Sequence, residues 1–469
     1  MSKSKLRSGA SSALAMLAAL STAACNFGGG ASTSAPQAVD LRIGLTATGE
    51  LTTSDRTLPG GQKRYDEFRF AGRAGDRVTV TMTSDTVTPF LIVRAPNGTV
   101  DQNNTAANPN DPSRVEMILP QDGTYTILAT SAQPNQTGAY RIAIAPMAAA
   151  AAAPAGPAPR GRQAQRVFAL MVGVSDYGGT ANNLAFTAED ATNMADALRQ
   201  AGVLSPQSVV LTDAQATVGA VRQAFQRIAA EAGPDDVFMF FFSGHGSQSQ
   251  TQVSATEMDG RTETIVMRDG QITDGEMAQL FSQVRAGVSI LALDSCFSGG
   301  FARNVVNRPG VMGLFSSEED LTSQVAANFR AGGYLSHFLR LALAGEADAD
   351  GNGVITAGEV SAFLHRQFAQ NVQNVSAQNM DGGQNYQNLV VDRGGVQIDQ
   401  PILHLAANRR PIQDPQGGDG IPAENPWGDP AEQAQEFGRG EDSYQQDGGD
   451  QPQYDGQQPD EGGGGGGGK

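Results

Sequence analysis

DVFMFFFSGHG (Asp236 to Gly246) and VSILALDSC (Val288 to Cys296) decide how this chain is read. Each is an unbroken apolar run that ends on small or polar residues. A strand buried on both faces of a parallel sheet needs such a run, because helices cover both of its sides. Working outward, RVFALMVGV (Arg166 to Val174) and SVVLTD (Ser208 to Asp213) have the same character. Amphipathic stretches lie between them at Ala188 to Gln200, Val218 to Ala232 and Asp274 to Val284. In the first, Met194, Ala197 and Leu198 share a helical face and Ala201-Gly202 ends the helix. Strand–helix alternation predicts an α/β unit over residues 166–405 with a mostly parallel sheet.

Ligands of such sheets sit at the carboxyl ends of the strands. His245 and Cys296 stand at two of those ends, flanked by Gly244, Gly246, Gly299 and Gly300. A thiol becomes a strong nucleophile near neutral pH when a base takes its proton, and imidazole is the usual partner. The two residues are about fifty positions apart, the His-to-Cys spacing of caspases.

Upstream the pattern changes. YDEFRF (Tyr65 to Phe70), DRVTVTMTS (Asp76 to Ser84), PFLIVRAP (Pro89 to Pro96), RVEMILP (Arg114 to Pro120), GTYTILATS (Gly123 to Ser131) and GAYRIAIAP (Gly138 to Pro146) are short strand-like runs separated by turn residues. They predict an all-β sandwich over 39–146. It holds no His or Cys, so it carries no dyad of its own, and a folded spacer is its simplest role. An Ala/Pro linker, 147–165, follows it as an extended spacer.

The ends are of different composition. Lys3, Lys5 and Arg7 precede an apolar run, Ala13 to Leu20, and small residues lead to Cys25. The run is too short to cross a bilayer and fits an export signal over 1–24. The pattern resembles a bacterial lipoprotein signal, which implies lipidation of Cys25, a tether over 25–38 and attachment to a membrane in the cell envelope or periplasm. Residues 406–469 are rich in Gly, Gln, Asp and Glu and end in glycines, Gly462 to Gly468. Such a tail cannot bury enough surface to order itself and is expected to be disordered. The net charge of −17 argues against a nucleic-acid partner. With 2 cysteines in the chain, Cys25 and Cys296, a disulfide scaffold is excluded.

The motifs V-G-V-S-D-Y (172–177), A-E-D-A (188–191), F-F-S-G-H-G-S-Q (241–248) and D-S-C-F-S-G-G (294–300), in this order, resemble metacaspases and bacterial caspase-like cysteine peptidases. The resemblance covers most of 166–368. It implies a cysteine endopeptidase with His245 and Cys296 as catalytic dyad. It further implies a pocket for Arg or Lys built from Asp190, Asp294 and Ser243, and oxyanion donors in the N–H groups of Gly246 and Cys296. In the same family a loop matching Gln248 to Met267, with Glu257, Asp259 and Glu263, helps to hold an activating calcium. The stretch after the cysteine, Phe301 to Asn304, lacks the acid such a site uses. The sandwich resembles the bacterial pre-peptidase C-terminal domain through Gly49-x-Leu51, Phe68-x-Phe70, A-G-D-R-V-T-V (74–80), P-N-G (96–98), L-P-Q-D-G-T-Y-T-I (119–127) and G-A-Y-R-I (138–142). That implies an accessory module of secreted proteases.

DADGNGVITAGE (348–359) fits the EF-hand calcium template. Asp348, Asp350 and Asn352 take its first three ligand positions, Val354 offers a carbonyl, Thr356 follows, and Glu359 is the bidentate acid. Calcium is therefore the one cofactor the sequence points to, with an Asp/Gly-rich turn that binds nothing as the alternative. Two readings of the whole remain: an exported, lipid-anchored cysteine endopeptidase cleaving protein substrates at basic residues, or a catalytically silent surface-anchored scaffold that only binds peptides.

Overall fold

The computed structural model describes residues 38–58, 62–103, 105–147, 166–252, 260–372, 375–378 and 384–406. The expected signal segment, Cys25, nearly all of the tether, linker and tail, and the acids Glu257 and Asp259 lie outside the described residues.

The N-terminal part is built of strands β1 (Val39–Asp40), β2 (Thr46–Leu51), β3 (Arg56–Thr57), β4 (Arg64–Gly72), β5 (Arg77–Thr83), β6 (Pro89–Arg94), β7 (Val100–Asn103), β8 (Ser113–Ile118), β9 (Gly123–Ser131) and β10 (Gly138–Pro146). One sheet runs β2-β10-β5-β8 and the facing sheet β1-β4-β9-β6-β7. Their inner faces meet through Phe68, Phe70, Val80, Met82, Leu91, Val93, Tyr125, Ile127 and Ile142. These residues recur at every second position, which is why the segment forms strands with one buried face.

The second part comprises β11 (Val167–Gly173), α1 (Thr187–Gln200), β12 (Val209–Thr212), α2 (Val218–Glu231), β13 (Val237–Ser243), β14 (Gly246–Gln250), β15 (Arg261–Met267), β16 (Gly270–Thr273), α3 (Asp274–Gln283), β17 (Val288–Asp294), β18 (Val311–Phe315), α4 (Tyr334–Leu341), β19 (Val354–Thr356), α5 (Ala357–Asn371), β20 (Ser376–Gln378), β21 (Gln384–Tyr386), β22 (Val390–Asp392) and β23 (Pro401–His404). The sheet order is β12-β11-β13-β17-β18-β22, parallel except for β22. Alternate residues of β13 serve opposite faces. Phe238, Phe240 and Phe242 pack with Phe225 of α2 and Phe281 of α3, while Val237, Met239 and Phe241 pack with the side holding α1, α4 and α5. The chain passes from β11 to β12 on one side and returns to β13 on the other. The crevice at this reversal is where such sheets bind ligands.

Two features lie beyond the sequence reading. Within the expected loop, 248–250 and 261–267 are strand: β14 and β15 pair antiparallel, Gly246 opposite Ile265, and Ile265 is fully buried. Four of the five β14–β15 pairs are polar with polar, such as Gln248 with Glu263, so no apolar alternation marks the hairpin in the sequence. The sandwich, in turn, is joined edge to edge to the α/β unit. Strand β7 pairs in parallel with β22, Val100 opposite Val390, and the Val100 N–H donates to the Leu389 carbonyl at 2.8 Å. A single sheet of 12 strands thus runs through both units.

Candidate active site

Strands β13 and β17 pair in parallel with Ser243 opposite Asp294. His245 and Cys296 each follow two residues later, so equal register delivers imidazole and thiol to the same level of the crevice. The two turns touch: a Cβ on Gly246 would lie 2.0 Å from the Cys296 carbonyl oxygen, so only glycine permits the approach. After Cys296, Phe297 takes a left-handed conformation, φ 58°, which turns the chain sharply out of the strand. A bulky residue there is strained, and such strain clusters at functional turns.

His245 is half-buried, and burial holds its pKa below the ordinary imidazole value. Its Nε2 lies 2.9 Å from the Asn182 carbonyl oxygen. A carbonyl can only accept, so this contact assigns a proton to Nε2. The Tyr177 hydroxyl accepts from the His245 backbone N–H at 2.8 Å, and its ring lies against the imidazole, centroids 4.7 Å apart. Cys296 is partly exposed, and its Sγ accepts from the Ser323 backbone N–H at 3.3 Å. Sequence reasoning missed Asn182, Tyr177 and Ser323. Two of them act through backbone atoms, which leave no trace in residue type.

Asp190, Asp294 and Ser243 converge beside the dyad. Asp190 Oδ2 accepts from the Ser243 hydroxyl at 2.8 Å and the Gly332 N–H at 2.9 Å. Asp294 Oδ2 accepts from the Ser336 N–H at 2.6 Å. Both carboxyls have pKa values raised by burial, and Asp190 is pushed further up by the charge of Asp294. Among the described residues no lysine or arginine pairs with either. The arrangement demands tight backbone packing. A Cβ on Gly173 would meet the Thr187 carbonyl at 2.1 Å, and one on Gly333 the Asp294 Oδ1 at 2.1 Å. Gly173 lets the first turn of α1, with Asp190, reach the end of β11. Gly332 and Gly333 form the opposing wall.

Glu263 lies on β15, fully buried beneath the turn after the cysteine, where it accepts from Gln248 Nε2 at 2.8 Å and faces Arg303 at 3.8 Å. A guanidinium therefore already stands opposite the carboxylate that the resemblance offered as a calcium ligand. Residues 348–359 lie apart, in the connection from α4 to α5. Carboxylate oxygens of Asp348, Asp350 and Glu359 come within 4.8 Å of one another. Asn352 Oδ1 and Thr356 Oγ1 accept local backbone N–H groups, of Val354 at 2.7 Å and Glu359 at 3.2 Å. Val354 pairs with His404 of β23 where a second calcium loop would pair in a two-site module.

Residues 168–303 match the metacaspase, peptidase C14 domain, and residues 64–131 the bacterial pre-peptidase C-terminal domain. The stretch that holds His245 and Cys296 is thus similar to a metacaspase peptidase domain. It is 35% identical over 145 residues to metacaspase-1 of Schizosaccharomyces pombe, covering 28% of this chain and 34% of that protein. It is 35% identical over 143 residues to metacaspase-1 of Mycosarcoma maydis, covering 28% and 35%. The chain thus spans about a third of the length of the curated relatives it matches.

Proposed function

We propose that the protein is a cysteine endopeptidase that cleaves after Arg or Lys with His245 and Cys296 as its dyad. The register match of β13 and β17 carries this reading, because it brings an imidazole and a thiol to one level of the crevice. In the mechanism, Nδ1 takes the Cys296 proton and the thiolate attacks the scissile carbonyl. Donors at the N–H groups of Gly246 and Cys296 stabilise the oxyanion as it forms. The imidazolium then gives its proton to the leaving amine, leaving a thioester on Sγ. Water, deprotonated by His245, attacks that thioester and releases the carboxylic acid and the free thiol. The depressed pKa of His245 keeps the base neutral at neutral pH.

The basic preference rests on electrostatics. Two buried carboxyls, each raised in pKa and without a cationic partner among the described residues, gain most from an incoming guanidinium or ammonium. We further read 348–359 as a calcium-binding loop, since its all-oxygen donor set suits a hard cation. Asp348, Asp350 and Glu359 would hold the ion, whose contribution is to the stability of the α4–α5 connection. Export, with a lipid on Cys25, completes the proposal. Cys25→Ser should then release the protein from membranes into the soluble fraction.

A fluorogenic panel with Arg, Lys or Asp before the scissile bond tests the central reading. Wild type is expected to turn over the Arg and Lys peptides, and Cys296→Ala to abolish turnover without shifting the melting temperature by more than a degree or two. Full activity in Cys296→Ala would end it. Peptide binding without any turnover in wild type would favour the scaffold.

A further inference from the structure

The chain leaving β18 forms a mould around the catalytic cysteine. Ser316 Oγ accepts from the Ser295 N–H at 3.1 Å, Ser317 Oγ donates to the Ser295 carbonyl at 3.1 Å, and the Leu321 carbonyl accepts from the Phe297 N–H at 2.9 Å. Two residues on, the Ser323 N–H points at Sγ, 3.3 Å away. The crown of this turn is Glu318-Glu319-Asp320, three consecutive acids. Left to themselves they would repel and open the turn. Burial and the neighbouring Glu318 and Glu319 raise the Asp320 pKa to about 6, a sign of that crowding.

Two arginines hold the turn closed. Arg303, from the segment after the cysteine, reaches Glu319 at 3.2 Å. Arg94, the last residue of β6, comes from the sandwich. It grips Glu318 with both terminal nitrogens, Nη1 to Oε1 and Nη2 to Oε2 each at 2.7 Å, and Asn388 Nδ2 adds a donor to Oε1 at 2.9 Å. A fork-on-fork pair fixes orientation as well as distance. Its frame is stiff, because β6 pairs with β7, β7 with β22, and β22 with the β18 strand that leads into the turn.

We propose that Arg94 is a positioning residue for Cys296, through which the docked sandwich sets the shape of the cysteine turn. The sandwich is then a working part of the active site. For its turnover arm this rests on the peptidase reading above; for its thiol arm it does not.

The test uses the full chain in Arg94→Ala, Glu318→Ala, the double variant and Arg94→Lys. The control is Arg77→Ala, which breaks a different ion pair between the two units, Arg77 to Asp399 at 2.7 Å, and touches nothing in the cysteine turn. Two quantities are read: kcat and KM on an Arg peptide, and the pH profile of Cys296 alkylation by iodoacetamide, located by peptide mass. With the mould loosened, the Ser323 N–H no longer stabilises the thiolate. Arg94→Ala should lower kcat about fivefold or more, with KM changed less than about twofold, and move the alkylation midpoint up by roughly half a pH unit. Arg94→Lys should recover part of both losses. The double variant should be no worse than either single one, since both remove the same bond. Arg77→Ala should match wild type. An unmoved midpoint with wild-type kcat in Arg94→Ala overturns the proposal, and so does an equal loss in Arg77→Ala, which would make docking alone responsible. If wild type turns over no peptide but the midpoint still follows Arg94, the peptidase reading fails and the positioning role stands.

Discussion

Asp190 and Asp294 are each 5% exposed at the crevice, whereas Asp350 sits on the open surface beside the half-buried Asp348 and Glu359. The side chains are chemically alike; their surroundings differ. The crevice pair is fixed by backbone N–H groups and a serine hydroxyl, and burial disfavours its charge. The loop is more open: Asp350 faces water, which screens it and competes for it. Burial turns a carboxylate pair into a selective receptor for a cation that can bring its own hydrogen bonds. Exposure leaves a flexible oxygen cage that suits a weakly held ion. On the proposed function the first arrangement serves recognition and the second stability.

The glycines beside each group offer the sharpest way to break that contrast. Gly333 has extended backbone, φ −159°, and is glycine for space: an added Cβ would meet both Asp294 carboxylate oxygens, at 2.1 and 2.2 Å. Gly351 has open space around it but φ +71°. Gly333→Ala must displace Asp294, two residues before Cys296. Misplacement by about an ångström near the chemistry costs on the order of a hundredfold, so kcat/KM should fall by that much or more, with a stability loss of about 1–3 kcal/mol. Gly351→Ala should cost about 1–2 kcal/mol of stability and leave turnover on the Arg peptide within about twofold of wild type. Equal effects of the two on turnover would erase the distinction.

Neutralising the crevice pair comes next in size. Asp190→Asn and Asp294→Asn should each lower kcat/KM for Arg peptides about 10- to 100-fold, the loss of one charge-assisted bond at ~1.5–3 kcal/mol. Stability should move the other way. Each carboxyl has a folded-state pKa above its unfolded value of 3.8. Its favourable contribution is therefore complete below the unfolded pKa and lost as pH rises through the folded one. The asparagine variants should thus melt higher than wild type at pH 8, with the difference closing toward pH 4. A variant that loses selectivity without gaining stability at pH 8 would mean that the pair is neutralised in the free protein.

Much of this architecture was legible because it rests on side-chain pattern. Apolar runs of β11, β13 and β17 could only be buried parallel strands, and small residues at their ends exposed His245 and Cys296 as candidates. The alternating runs of the sandwich were equally plain. What escaped depends on backbone and on partners distant in sequence. Strand β7, VDQN (Val100–Asn103), has no strand-like periodicity; it is a strand because it pairs with β6 on one side and with β22, nearly three hundred residues away, on the other. Gly332 and Gly333 look like an ordinary turn until the carboxylates beneath them are seen. Arg94 reads as a polar strand end, and only the fold shows Glu318 opposite it.

The smallest expected effect concerns the loop acids. Glu359 has a structural duty besides any ion: its Oε2 accepts from the Thr356 N–H and hydroxyl, both at 2.9 Å, while its own N–H returns to Thr356 Oγ1, a capping box at the start of α5. Glu359→Gln keeps that box, because an amide oxygen still accepts, but removes the charge a bidentate ligand needs. A ligand that binds the folded state alone stabilises it by about 2.7 kcal/mol at a hundred times its dissociation constant. Surface sites of this kind bind calcium at about 0.1–1 mM, so 5–10 mM, about tenfold above that range, should raise the wild-type melting temperature by a few degrees. The Glu359→Gln variant should melt near wild type without calcium and respond much less with it. Turnover should change by less than about twofold in both, since the ion would brace α4 against α5 and touch neither Cys296 nor the crevice carboxylates. A melting curve unmoved by calcium in wild type would reduce 348–359 to a turn. A calcium-dependent change in kcat would tie the loop acids to the chemistry and remove the division between the two groups.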